Sequence, residues 1–312
     1  MTLILAMANP SYVLQVGDRL VSQKWRYASG AIRNQPWEEL ANKALVYVAS
    51  DAIVAISYTG VAYINDKNTD TWLAEQLDSE ISRGPLSALR SGGTERRVGI
   101  GAAINQLVVS IDDAFTTTPI EDRSAGLTLQ IVGWKWRGRN PYEMPIVWHL
   151  INSGDDGAST LVERLPRYWG WQNGQCRLDA IGNRDSKPLA DLTSRMSGND
   201  KLHADFVQGE MVETIRAASA LSDGTIGPNC ISLLMSLSTG NVRVCYIPES
   251  SAAADYEVFT PWLIAPGAGV SAPSRLTAGL PVMHLGGLEV SFERIHPPDS
   301  FGSGGMSHLP RK

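Results

Sequence analysis

The sequence predicts an α+β fold, with two antiparallel β-sheets and helices packed outside them. Three observations predict it. Apolar, β-branched segments come in consecutive clusters and do not alternate one by one with helices. Segments with a 3.6-residue apolar period are grouped between those clusters. The chain of 312 residues is 43% hydrophobic and 19% charged, which is enough to bury a sizeable core and excludes wholesale disorder.

Taken in order, Thr2–Ala8 reads as an apolar strand, Asn9–Pro10–Ser11 as a turn, and Tyr12–Val16 as a return strand broken by Gly17–Asp18. Residues 23–40 are irregular and read as a long loop or one short helix. Ala44–Ala49 and Ala52–Tyr58 form a second strand pair, ended by Thr59–Gly60. Asn65–Asp70 supplies turn and cap residues for a helix through Trp72, Leu73, Gln76 and Leu77. A second helix spans about Glu95 to Phe115, with Ile100, Ala103, Ile104, Leu107, Val108 and Ile111 on one face.

Strands follow at Leu127–Trp136 and Ile146–Asn152, around Gly138–Asn140–Pro141. Residues 160–202 show little periodicity. A helix from Ala204 to Leu221 carries Phe206, Met211, Ile215 and Ala218 on one face and stops at Ser222–Asp223–Gly224. Cys230–Leu237 and Val242–Ile247 form a hairpin around Ser238–Asn241. Residues 249–312 read as a C-terminal extension, with strands at Tyr256–Ile264 and Leu285–Phe292 and a disordered Gly/Ser-rich tail at Ser300–Ser307.

The net charge of −5 argues against a nucleic-acid binder, which needs a basic face. No apolar run reaches the ~18 residues of a membrane span. Leu3–Ala8 is too short, and too lacking in a preceding basic residue, to be read as a signal peptide. Three cysteines (Cys176, Cys230, Cys245) and five scattered histidines suggest neither a disulfide framework nor a metal site. The expectation is a cytoplasmic protein without a cofactor. Trp134–Trp136 and Tyr168–Trp171 read as packing, not as a ligand platform. Asp112–Asp113 and Asp155–Asp156 read as a helix end and a turn, and Cys230 and Cys245 as buried small hydrophobes.

The N-terminus carries the chemistry. Removal of Met1 would expose Thr2, whose hydroxyl is a nucleophile and whose α-amine, with an ordinary pKa of about 8, can take the hydroxyl proton. A hairpin brings Asp18 back towards Thr2. Lys43, at the foot of an apolar strand, is a cation that can pair with Asp18 and depress the pKa of the nucleophile. Gly60, at a strand end, can offer its N–H to an oxyanion.

These residues resemble the proteasome-type N-terminal nucleophile hydrolases. Thr2–Leu3 opens a strand. Tyr12-Val-Leu-Gln-Val-Gly-Asp-Arg19 looks like the family's strand and turn, sixteen residues separate Thr2 from Asp18, and Asn42-Lys43 through Gly60 is similar to the family's next hairpin. The resemblance covers about residues 2–248. It implies a four-layer αββα fold over residues 1–248 and acyl transfer by Thr2. Asp18 and Lys43 would be the tuning pair, Gly60 the oxyanion donor, Asp223 a carboxylate orienting the terminus, and Ser22 a backbone contact to a substrate strand. A peptide or amide substrate and a homo-oligomer are implied as well. Two departures stand out. The Asp18–Lys43 gap is about nine residues longer than usual, which leaves Lys24 closer in sequence. Ile226 falls where the family has a serine, Thr225 is offset from it, and the other supporting serine would be Ser153. A non-catalytic structural subunit and a small-molecule amidase of the same fold stay open, and nothing in the sequence identifies a regulatory ATPase.

Overall fold

The computed structural model describes residues 2–9, 11–26, 29–30, 32–78, 98–117, 126–135, 146–152, 163–166, 177–183, 187–196, 203–236, 239–250, 258–266, 269–273, 275, 282–285 and 288–295. Trp136, Ser153, Asp155–Asp156, Tyr168–Trp171, Cys176 and Ser300–Ser307 lie outside the described residues.

The chain is a mixed α/β protein with two seven-stranded sheets, two small hairpins and, among the described residues, four helices. The first sheet is built on β1 (Leu3–Ala8) and β2 (Tyr12–Asp18), which pair antiparallel with Ile4 opposite Gly17. Hydrogen bonding continues the strand through Gly17 and Asp18, where the glycine alone suggested a break. β3 (Val21–Arg26) and β4 (Ile32–Glu38) form a hairpin where the sequence suggested a loop or helix. Pro36 and the bulge at Val21/Ser22 hid its alternation, and both are compatible with a two-stranded ribbon, where Pro costs no central ladder bond.

The second sheet is built on β5 (Ala44–Val48) and β6 (Ala52–Gly60). A small hairpin of β7 (Tyr63–Ile64) and β8 (Lys67–Asn68) leads into α1 (Thr69–Leu77), and α2 (Ile100–Thr117) follows. The apolar face expected of α2 is buried through Ile100, Ala103, Ile104, Leu107 and Ile111. β9 (Leu127–Lys135) pairs with β6, and β10 (Ile146–Asn152) with β9. β11 (Glu163–Pro166) forms one edge of this sheet.

Two further elements lie in the stretch that lacked periodicity. β12 (Arg177–Gly182) pairs with β1, and α3 (Lys187–Met196) packs on the first sheet through Leu189, Leu192 and Met196. In α4 (Ala204–Ala220) the buried stripe is Val207, Met211, Val212, Ile215 and Ala218. Phe206, expected on that stripe, is 55% exposed, because it precedes the stripe by one residue and so points about 100° away from it. β13 (Cys230–Ser236) pairs with both β2 and β14 (Val242–Ile247).

Strands after residue 248 enter both sheets. β15 (Trp262–Ala265) runs parallel to β5 and pairs with β16 (Gly269–Ser271). β18 (Leu288–Arg294) runs parallel to β14 and pairs with β17 (Val282–Leu285). Each sheet is therefore mixed, not purely antiparallel. A strand returning over a long connection can dock in either direction, and these two dock parallel.

Among the described residues, three large apolar clusters and a small one (Ile4 with Ile181) form the core. Leu45, Tyr47, Val54, Ile56 and Ile131 of the second sheet meet Trp72, Leu73, Ile104 and Leu107 of α1 and α2. Val13, Ile231, Leu233 and Val244 of the first sheet meet Val46, Ile53, Val132 and Leu263 of the second. Leu3, Leu5, Met7 and Leu14 meet Leu192, Met211 and Ile215 of α3 and α4. Both faces of β1, β5 and β6 are covered, which explains their continuous apolar runs. Cys230 and Cys245 are buried free thiols, and burial pushes them up to about 12 and about 11. None of the described helices is long and apolar enough to cross a membrane.

Truncation after Glu249 would strip the parallel partners from β5 and β14 and expose two apolar sheet edges. The expected outcome is loss of a cooperative thermal transition, or a fall in Tm of more than about 10 °C. An unchanged melting curve would show these strands to be peripheral.

Candidate functional site

Strand ends from both sheets meet around Thr2. The β1–β2 register sets Asp18 beside the start of β1, and the β5–β6 register sets Lys43 beside Tyr58, whose N–H donates to the Lys43 carbonyl at 3.1 Å. Lys43 Nζ donates to Thr2 Oγ1 at 2.7 Å, to Asp18 Oδ2 at 3.0 Å and to the Leu20 carbonyl. Its three ammonium donors are thereby used. Thr2, Asp18 and Lys43 are 6%, 0% and 4% exposed.

Asp18 is held by backbone as well as by Lys43. Its Oδ1 accepts from Leu3 N at 2.9 Å, and its Oδ2 from Leu20 N at 3.1 Å and Gly227 N at 3.2 Å. These contacts hold both carboxylate oxygens in place. Burial pushes the Lys43 ammonium below its usual range, and the charge and hydrogen bond of Asp18 oppose that shift. The arrangement is therefore a desolvated cation within hydrogen-bond reach of a hydroxyl, backed by a fixed carboxylate.

The long Asp18–Lys43 gap is absorbed by the β3–β4 hairpin, which pairs only with itself. Lys43 thus reaches Asp18 across 25 residues of chain, while Lys24 lies within β3 opposite Asn34. A pocket of about 40 Å³ opens at the cluster and is lined by Thr2, Ser22, Lys43, Thr59, Gly60 and Val61 among others. Gly60 is exposed, with φ +107°, and Ser22 is half-buried opposite Pro36. Asp223 lies apart. It is exposed in the left-handed turn after α4 (φ 48°) and hydrogen-bonds to none of Thr2, Asp18 or Lys43. From that segment it is the N–H of Gly227 that reaches the cluster.

Several positioning residues gave no signal in the sequence. Asn183 N donates to the Thr2 carbonyl at 2.9 Å. Gly182, with φ +89°, is required beside it, since a Cβ there would stand 1.7 Å from the Thr2 carbonyl oxygen. Buried Arg19 donates to the carbonyls of Leu40 and Ala41 and to Asn42 Oδ1, and it stacks over the Tyr246 ring at 5.2 Å. Burial lowers its pKa to about 10. Asn42 in turn donates to the carbonyls of Phe259 and Thr260 at 3.0 and 2.9 Å, tying the approach to Lys43 to the C-terminal segment.

A second cavity, of about 250 Å³, adjoins the Thr2 pocket and shares Val21, Tyr58 and Ala62 with it. Asp70 lines it at 9% exposure. Burial raises the Asp70 carboxyl to about 6, partly offset by hydrogen bonds from Thr71 N and Oγ1 to Oδ1.

No family model matches the sequence, and no curated protein matches it. Among solved structures, the chain is similar to Anbu (Gly-1) mutant from Hyphomicrobium sp. strain MC1, with TM-score 0.45, 9% identity and coverage of 89% of this chain and 88% of that one. It is similar to Anbu (ancestral beta-subunit) from Yersinia bercovieri, with TM-score 0.41, 11% identity and coverage of 74% and 80%. It is also similar to eukaryotic HslV from Trypanosoma brucei, with TM-score 0.37, 15% identity and coverage of 74% and 98%. The likeness is distant, and the chemistry assigned to Thr2, Asp18 and Lys43 rests on their geometry in this chain.

Asp18→Asn and Lys43→Met should each cost about 3–5 kcal/mol in urea unfolding, because each strands a buried partner. The double variant should cost clearly less than the two combined, and simple additivity would show the pair to be uncoupled. The Asp70 carboxyl titrates higher in the folded chain (about 6) than in the unfolded one, so Asp70 costs stability as pH rises from about 4 to about 6, and the cost is complete above that. Asp70→Asn should therefore stabilise the protein at pH 7.5 by about 1–3 kcal/mol, with the gain shrinking below pH 6 and absent near pH 4. A pH-independent difference would contradict this.

Proposed function

We propose that the chain is an N-terminal-threonine peptidase or amide hydrolase with a four-layer αββα core of the proteasome type. The observation that carries the reading is the contact of Lys43 Nζ with Thr2 Oγ1 at 2.7 Å, with Asp18 Oδ2 at 3.0 Å from the same nitrogen, all three side chains being buried. The layered core is supported by the apolar clusters, one between the sheets and one under each helix pair.

While Met1 is attached, the Thr2 nitrogen is an amide and has no basic lone pair. Once Met1 is removed, the α-amine takes the Oγ proton, directly or through a water, and Oγ attacks an amide carbonyl. Lys43 places positive charge beside the developing alkoxide, and Asp18 keeps that lysine oriented. The Gly60 N–H stabilises the tetrahedral oxyanion. The C–N bond breaks as the amine gives its proton to the leaving nitrogen, and water then cleaves the ester to free Thr2. Ser22, which lines the same pocket, would contact substrate backbone in this reading. Asp223 has no part in this arrangement, because it touches none of the reacting groups.

Intact mass of the purified protein, before and after a peptidyl epoxyketone, tests the reading. Loss of the Met1 mass and one added inhibitor, absent in Thr2→Ala, is the expected result. Lys43→Ala should slow adduct formation by about 100-fold or more. Retained Met1 with no adduct would turn the assignment to a non-catalytic subunit.

A further inference from the structure

The cavity beside the Thr2 pocket is one-sided in its chemistry. Its rim is exposed, at Glu38, Tyr63 and Phe259, and its floor is buried, at Asn42, Tyr58 and Asp70. The floor's donors are already committed. Asn42 gives its amide protons to the carbonyls of Phe259 and Thr260, and the Tyr58 hydroxyl donates to the Asn42 carbonyl at 3.3 Å. Among the described residues, no lysine or arginine lines the cavity.

What the floor still offers is acceptors. Asp70, nine-tenths buried, takes hydrogen bonds from Thr71 and from its own N–H, and forms no ion pair among the described residues. Glu38 adds a second carboxylate at the mouth. A buried carboxylate without a cation is costly, and a cation entering from solvent relieves that cost. The aromatic faces of Tyr58, Tyr63 and Phe259 can pack against an aliphatic stem leading to such a charge.

Size narrows the occupant. At about 250 Å³ the cavity falls below the ~300–1,000 Å³ of sites that enclose whole ligands, and it suits one side chain. Because it shares Val21, Tyr58 and Ala62 with the Thr2 pocket, a chain lying across Thr2 can lower a neighbouring side chain into it. Phe259 and Pro273 show that the C-terminal segment supplies one wall.

We infer that this cavity is a specificity pocket for a cationic side chain, lysine or arginine, of the peptide presented to Thr2, with Asp70 as its principal charge partner. The inference deepens the threonine-hydrolase reading and rests on it for the role of the occupant.

Two measurements test it. Peptidyl epoxyketones differing only in the side chain nearest the electrophile (arginine, leucine or glutamate) are reacted with the full chain and followed by intact mass. Arginine should react at least about ten-fold faster than leucine, glutamate should be slowest, and Asp70→Asn should collapse the arginine-to-leucine ratio to about two-fold. Equal wild-type rates, or a ratio unchanged in the folded Asp70→Asn and Glu38→Gln variants, overturn the proposal. Benzamidine binding by calorimetry is independent of the nucleophile. It should occur in wild type and in Thr2→Ala, and weaken about ten-fold or more in Asp70→Asn. If no probe forms an adduct while benzamidine binding still depends on Asp70, the threonine reading fails and the cation pocket stands. Absence of benzamidine binding to the folded wild type overturns the pocket.

Discussion

Lys43 and Asp18 are removed from water together, and much of the architecture serves to make that tolerable. An isolated buried ammonium or carboxylate carries a large desolvation cost, and a pair repays it only when every donor and acceptor finds a partner. Here the carboxylate collects three backbone N–H groups, from Leu3, Leu20 and Gly227, besides the ammonium. The lysine spends its donors on Thr2, Asp18 and the Leu20 carbonyl. These partners come from β1, the β2–β3 connection and the segment before β13. The pair can exist only when both sheets are assembled in register.

Other interactions guard that register. Gln15 of β2 donates to Gln130 Oε1 of β9 at 3.1 Å and accepts from Ser57 of β6 at 2.6 Å, a buried polar contact across the two sheets. A slip of one residue would turn these groups into apolar surroundings and break their hydrogen bonds. Farther out, Arg19 and Asn42 link the β2–β3 turn, the approach to Lys43 and the C-terminal segment into one network. The strands after residue 248 thus brace the foot of β5 as well as extending the sheets.

Asp70 follows a different logic. Burial disfavours the charged form of Asp70 there, and among the described residues no cation is paired with it. A destabilising carboxylate facing a cavity next to a nucleophile candidate is the kind of local conflict that functional sites display.

The sequence by itself determined the strand pairs β1–β2, β5–β6 and β13–β14, the apolar stripe of α2, and the identities of Thr2, Asp18 and Lys43 as candidate chemistry. The strand pairs and the stripe rest on local alternation or a 3.6-residue period, Thr2 on its place after Met1, Asp18 on the turn that brings it back towards Thr2, and Lys43 on its place before an apolar strand. The tertiary structure decided the rest. It brought Thr2, Asp18 and Lys43 together at hydrogen-bond distance around the Lys43 ammonium, because the self-paired β3–β4 hairpin takes up the chain between Asp18 and Lys43 without moving its ends. It made a hairpin of residues with no clean period, paired β12 with β1, and joined β15 and β18 parallel to strands more than 40 residues away. It also left Asp223 in solvent and brought Asn183, Gly182 and Asp70 to the site. Those placements depend on contacts between segments remote in sequence, and no local pattern of residue types encodes them.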